Sequence, residues 1–219
     1  AADVAHEIKN PLSSLRSATE TFSRAKTAAQ KKQLLNIILQ DVQRLDRLIT
    51  DISQASRVDT EIIGQDRDPV DFAGLIDNFI QMRSQTHSQY QLRFDHPPMP
   101  VMVRMNQSRM VQVIDNVLSN AISFSPKGGM VRFILTADAT RKRAVLDILD
   151  DGPGIPDAKL ETVFDRFYTE RPSGEGFGEH SGLGLSIARQ IVDAHNGQLT
   201  AENRPEGGAC FRLVLPLES

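Results

Sequence analysis

Four groups of residues are of types and spacings that could do chemistry. The first is His6 followed by Glu7, with Asn10 one helical turn further on. A carboxylate beside an imidazole can take or return its proton, although a lone surface histidine more often does nothing. The second is Asn116 and Asn120, four residues apart. Their amide oxygens are neutral hard ligands suited to Mg²⁺ that is shared with nucleotide phosphates, and the same pair would equally serve capping or solvation. The third is Asp150-Asp151-Gly152-Pro153-Gly154-Ile155, which follows an apolar run. Glycines there permit a tight turn and close approach of a ligand to the backbone, and a carboxylate at such a turn can accept a hydrogen bond from an exocyclic amine; a turn with no function has the same composition. The fourth is the stretch 174–184, with Gly174, Gly176, Gly178, Gly182 and Gly184 ahead of an apolar helical pattern. Backbone amides at a glycine-rich helix start form an anion site, whereas the segment taken alone reads as a flexible loop.

These residues need elements to position them. Leu35, Ile38, Val42, Leu45, Ile49 and Ile52 recur at alternating spacings of three and four, the seam of a bundle or coiled coil. Val4, Ile8, Leu15, Ala18 and Phe22 form a similar stripe upstream, and the polar stretch 23–33 offers a place to turn. Residues 1–58 therefore predict an antiparallel helical hairpin. Two such helices cannot bury broad apolar faces alone, so a second copy completing a four-helix bundle, a homodimer, is expected. At about 100° per residue, His6 lies roughly 200° from the mean direction of the upstream stripe and Asn10 about 40° from His6, which puts both on the solvent face. Pro11 removes a backbone donor inside this helix and invites a bend.

Up to Arg57 the chain has one proline and no glycine; Gly64 and Pro69 then mark the polar stretch 59–68 as a linker. Residues 69–219 read as an α/β sandwich. Strand-like runs at 91–94, 101–105, 130–136, 144–149, 198–201 and 209–215 interleave with helical patterns near 70–83, 108–122 and 184–194, which implies helices on one face of a mixed sheet. The helix over 108–122 is expected to bury Met110, Val113, Ile114, Val117, Leu118 and Ala121, with Asn116 and Asn120 flanking that stripe.

Composition narrows the function classes. With 219 residues, 40% hydrophobic and 24% charged, the chain falls in the globular range rather than among disordered or fibrous sequences. Cys210 is the single cysteine and no signal-peptide pattern is present, which reads as a protein of a reducing compartment without disulfides. No uninterrupted apolar run approaches the ~18 residues of a membrane span, so this piece is expected to be soluble. A net charge of −3 argues against a nucleic-acid partner. Charge also divides where composition does: nine Lys/Arg face seven Asp/Glu in residues 1–60, and sixteen face twenty-one in 61–219.

The four groups in this fixed order resemble the cytoplasmic core of a bacterial two-component sensor histidine kinase, along essentially the whole chain. His6-Glu7-Ile8-Lys9-Asn10-Pro11-Leu12 resembles the H box, Asn116-Val117-Leu118-Ser119-Asn120-Ala121 the N box, Asp150-Asp151-Gly152-Pro153-Gly154 the G1 box, Val163-Phe164-Asp165-Arg166-Phe167-Tyr168 the F box and Ser181-Gly182-Leu183-Gly184-Leu185 the G2 box. The wording of 14–18, 41–59 and 167–184 further resembles the ChvG/ExoS group of transmembrane sensors. By this resemblance, 1–58 is a dimerisation and histidine-phosphotransfer domain, and 69–219 an ATP-binding Bergerat fold shared with Hsp90, gyrase B and MutL. The resemblance also implies the roles. His6 attacks the γ-phosphate of ATP with Glu7 as proton acceptor, and Asn120 with Asn116 holds Mg²⁺. Asp150 receives the adenine amino group. Gly152, Gly154, Ile155, Gly182, Leu183, Gly184 and Leu185 line the nucleotide pocket, and residues near 169–181 form a mobile lid. The phosphoryl group then passes to an aspartate of a response-regulator receiver domain, whose dephosphorylation Asn10 supports.

One departure stands out: the family commonly has a phosphate-reaching lysine just before the N-box aromatic, where this chain has Ser123 ahead of Phe124. Lid residues such as Arg171 then supply a cation, or nucleotide binds more weakly. His87, His96, His180 and His195 match no motif and are read as surface or packing residues. An ATP-driven dimer clamp resembling MutL or Hsp90 would explain the Asn, Asp and Gly groups, but not the H-box wording on a two-helix stem. A degenerate module that has lost kinase activity has only Ser123 in its favour. The chain opens within what already reads as helix, which suggests a piece of a longer, membrane-bound parent whose sensor part lies elsewhere and whose core faces the cytoplasm.

Overall fold

The computed structural model describes residues 2–61, 67–168 and 182–218, with side chains from Ile8 onward except at 47, 51 and 53–61. The chain divides into a helical unit and an α/β unit, the latter comprising Val58–Phe164 and Leu185–Ser219.

The helical unit contains α1 (Ala2–Phe22), which runs through Pro11, and α2 (Ala28–Glu61). The polar stretch after α1 turns more tightly than its composition suggests. The Thr27 hydroxyl accepts from the Gln30 amide at 3.2 Å, while Gln30 Oε1 accepts from the amides of Thr27 at 3.3 Å and Lys26 at 3.2 Å. This reciprocal capping box starts α2 at Ala28, well inside the stretch 23–33. At its far end α2 continues through Glu61, into the segment read as linker. Along the seam, Leu35, Val42 and Ile49 expose 47, 49 and 59% of their surface, whereas Ile38, Leu45 and Ile52 are half-buried. A heptad-spaced row of half-exposed aliphatic side chains is an apolar stripe available to a partner helix.

The α/β unit begins with β1 (Asp68–Asp71) and α3 (Phe72–Thr86), followed by β2 (Gln91–Asp95), β3 (Met102–Met105) and α4 (Gln107–Phe124). Then come β4 (Met130–Asp138), β5 (Arg143–Leu149), two 3₁₀ turns (Asp157–Lys159 and Thr162–Phe164), α5 (Gly184–Ala194), β6 (Gln198–Asn203) and β7 (Ala209–Pro216). The helix expected from about residue 70 starts at Phe72 instead. Val70 and Asp71 pair antiparallel with Val103 and Met102 of β3, and Asp71 Oδ1 accepts from Ala73 N at 3.2 Å and Val101 N at 3.1 Å. One carboxylate thus ends a strand, caps a helix and ties down a distant loop.

The main sheet has the order β2-β4-β5-β7-β6, with β2 parallel to β4 and every other pair antiparallel. One rung, Leu135–Leu146–Leu213–Leu199, crosses four strands and is fully buried. The opposite face is less buried and carries charge: Arg212 meets its cross-strand neighbour Asp147 through Nε at 2.7 Å and a terminal nitrogen at 3.0 Å. That alternation makes a one-sided sheet whose apolar face lies beneath the buried faces of the helices. All six residues expected inside on α4, from Met110 to Ala121, are buried.

Two polar links fix α4. Arg83 of α3 pairs with Asp115 at 2.7 Å. His195, just after α5, is 4% exposed; its Nε2 accepts from Asn106 N at 3.0 Å, so the Nδ1 proton is donated to Ile191 O at 2.7 Å. Asn106 in turn caps α4 through Arg109 N. Burial holds the imidazole's pKa below its ordinary value, with the Arg67 charge acting the same way and the Ile191 carbonyl opposing. No helix among the described residues is long and apolar enough to cross a membrane.

Candidate functional site

The apolar strand β5 delivers Asp150 into the protein, where it is 3% exposed. Its Oδ1 accepts from Gly152 N at 2.9 Å and Ala209 N at 3.0 Å, and its own amide donates to Ala209 O at 3.0 Å. Oδ2 takes no hydrogen bond among the described residues. The carboxyl is therefore fixed in orientation with one oxygen left to receive a donor. Burial pushes its pKa above the ordinary carboxylate value, against the pull of the Ala209 and Gly152 amides and the Arg204 charge.

Close approach explains the glycines. A methyl group on Gly152 would lie 2.9 Å from Asp150 Oδ1 and 3.1 Å from the carbonyl oxygen of Phe124, so this turn sits against the end of α4. Gly154 has φ +82°, and a side chain there would meet Asn203 Oδ1 at 2.8 Å. The residues that brace this turn belong to none of the four groups and lie about fifty residues further along the chain. Asn203, the last residue of β6, accepts from Ile155 N at 2.7 Å and donates through Nδ2 to Ile155 O at 2.6 Å and Asp157 Oδ1 at 3.1 Å. Arg204 donates to Asp150 O and reaches Asp151 Oδ1 at 3.2 Å, while Asp151 Oδ2 accepts from Met130 N at 2.9 Å. Gly208, at φ +85°, brings the backbone so near that a methyl group would lie 2.0 Å from Asp150 O. The one signal for this brace in the sequence is the Gly207-Gly208 pair before β7.

Asn116 and Asn120 lie one turn apart on α4, both half-buried beside the apolar stripe. The side-chain amide of Asn120 makes no hydrogen bond among the described residues, so its oxygen is available. No group of three or more His, Cys, Asp or Glu among the described residues could hold a metal. The donor set present, neutral amide oxygens, fits Mg²⁺ that keeps waters and shares a ligand's phosphates rather than an all-protein cage. Ser123 is half-buried in the last turn of this helix.

Before α5, Gly182 has φ +70° and its carbonyl accepts from Phe167 N at 2.9 Å; Leu183 is buried, and Gly184 and Leu185 open the helix. Residues 169–181, which include the proposed lid, Arg171, Gly174, Gly176, Gly178, His180 and Ser181, lie outside the described residues. His6 and Glu7 are on α1, with side chains outside the described set, and Asn10 is exposed on the same helix. The structure thus brings Asp150, Gly152, Gly154 and Ile155 together at one turn against the helix that carries Asn116 and Asn120.

Residues 105–219 match the family described as "Histidine kinase-, DNA gyrase B-, and HSP90-like ATPase", and residues 1–61 match the "His Kinase A (phospho-acceptor) domain". The sensor protein ChvG of Rhizobium meliloti is 43% identical over 229 residues, covering 99% of this chain and 40% of ChvG, so the chain spans about two fifths of that relative's length. Among solved structures, a mycobacterial sensor histidine kinase, MprB, is similar with a TM-score of 0.60 and 32% identity, over 69% of this chain and 98% of that one. The histidine kinase ThkA, solved in complex with response regulator protein TrrA, shares the fold at a TM-score of 0.81 and 24% identity, over 99% of this chain and 60% of that one. With residues 1–61 matched by a phospho-acceptor domain, residues 105–219 by an ATPase domain, and 32–43% identity to sensor kinases, the protein belongs to the sensor histidine kinase family.

Proposed function

We propose that the chain is the cytoplasmic catalytic core of a sensor kinase that phosphorylates itself on His6 and passes the phosphoryl group to an aspartate of a response regulator. The observation that carries the nucleotide half is Asp150, with one oxygen locked by two amides and the other open to an exocyclic amine. In this reading the adenine amino group donates to Asp150 Oδ2, and Gly152, Gly154, Ile155 and Gly182–Leu185 line the pocket. Asn120, with Asn116, would hold the metal, and Mg²⁺ when bound would neutralise charge developing on the phosphates. An imidazole nitrogen of His6 forms the new bond to the γ-phosphorus as the bond to the bridging oxygen of ADP breaks, and Glu7 takes the imidazole proton. Asn10 orients water toward the regulator's phosphoaspartate in the reverse, dephosphorylating reaction. The exposed row at Leu35, Val42 and Ile49 supports a homodimer through the hairpin.

The match of residues 1–61 to a phospho-acceptor domain favours a kinase over a nucleotide-driven clamp. The test is incubation with labelled ATP and Mg²⁺. An acid-labile, base-stable label that His6→Gln abolishes is expected. Retention of the label in that variant, or its appearance on another residue, overturns the assignment.

A further inference from the structure

The turn that carries Asp150 has two ends, and different groups hold them. The Asp150 end is fixed by the Gly152 and Ala209 amides and by Arg204. At the Ile155 end, the backbone amide and carbonyl of that residue are both engaged by a single side chain, Asn203, at 2.7 and 2.6 Å. The amide plane of Asn203 is oriented by its third bond, to Asp157 Oδ1 at 3.1 Å. A primary carboxamide holds its donor and its acceptor on separate atoms of one plane, which lets Asn203 donate to the carbonyl and accept from the amide of the same residue while a second N–H reaches Asp157. Gly154 completes the fit, because its lack of a side chain is what admits Asn203 Oδ1.

We infer that Asn203 is a positioning residue for base recognition: by clamping both backbone groups of Ile155 it sets the span of the 150–155 turn, and with it the aim of Asp150 at the exocyclic amine. The inference rests on the adenine role proposed for Asp150. Asn203 acts at a distance from the nucleotide, through the backbone it holds. A site built to accept from an amine rejects an analogue that presents a carbonyl at that position, because two acceptors then face each other. Discrimination between ADP and inosine diphosphate therefore reads the aim of Asp150 separately from overall stability.

The experiment measures binding of ADP and inosine diphosphate to the whole chain by calorimetry, for wild type, Asn203→Ala and Asn203→Asp. Wild type is expected to prefer ADP. Loss of hydrogen bonds of ordinary net strength predicts that Asn203→Ala reduces that preference about three- to tenfold. Asn203→Asp keeps the acceptor for Ile155 N but sets a carboxylate oxygen against Ile155 O and Asp157, and is expected to lose at least as much. If Asn203→Ala does not fold, the isosteric Asn203→Asp alone decides. An unchanged preference, with both affinities intact or lowered by the same factor, means that Asn203 is only structural and overturns the inference. A wild type that binds both nucleotides equally overturns the adenine reading of Asp150 and this inference with it.

Discussion

Asp150→Asn isolates one atom. The amide oxygen can occupy the position of Oδ1 and still accept from Gly152 N and Ala209 N, which lie 2.9 and 3.0 Å away. The group that changes is Oδ2, where an NH₂ donor now faces the incoming amine of adenine. A hydrogen bond to a charged group contributes about 1.5–3 kcal/mol, so ADP should bind about ten- to a hundredfold more weakly. Stability should barely move. Both backbone donors stay satisfied, and a carboxyl whose ionised form burial disfavours has been replaced by a neutral group. The assay pairs calorimetric titration of ADP with a thermal melt of the unliganded protein. Unchanged affinity removes Asp150 from the pocket, and a large fall in melting temperature accompanying lost affinity shows that the carboxylate holds the turn instead of the nucleotide.

Three further outcomes follow from other parts of the molecule. Gly208→Ala combines a positive φ with a methyl group 2.0 Å from Asp150 O, and is expected to destabilise the protein by about 2–4 kcal/mol, read as a shifted urea midpoint; an unshifted midpoint contradicts the close approach. His195 titrates below its ordinary value when folded, so the unfolded chain binds the extra proton first and stability is expected to decline as pH falls below about 6.5, with a slope that His195→Gln flattens; equal slopes refute the buried neutral imidazole. Asn10→Ala is expected to keep most His6 phosphorylation and to lose dephosphorylation of a pre-phosphorylated regulator in the presence of ADP, and equal rates would return Asn10 to an ordinary solvated helix residue.

What the sequence disclosed was local. The six buried residues of α4 were legible because helical period and burial coincide within one element, and the 150–155 turn because aspartate and glycine stand side by side. Strand β1 was missed because Pro69 demotes a strand pattern and its partner β3 lies more than thirty residues away. The brace on the turn was missed for the same reason at longer range. Asn203 meets Ile155 across 48 residues and Arg204 meets Asp150 across 54, and neither spacing leaves a periodic trace. The hairpin turn lies between these cases, since Thr27-Ala28-Ala29-Gln30 is a capping-box pattern contained within four residues.

The place of Asp150 in the sheet has a consequence for folding. Strands β4 and β5 form one hairpin and β6 and β7 another, each joined by a short turn. The seam between them, β5 against β7, joins residues far apart in the chain, and Asp150 and Ala209 at its end are separated by 59 residues. Closing a loop of that length costs about 3–4 kcal/mol of chain entropy before any contact offsets it. Two quickly formed hairpins and a slower joint between them are expected. The proposed nucleotide turn is stitched across that joint, its carboxylate from one hairpin and one of the two amides that orient it, Ala209 N, from the other. A site of this kind does not exist in either half; a nucleotide that binds there selects chains in which the halves have docked, and so acts as a clasp on the last seam to close.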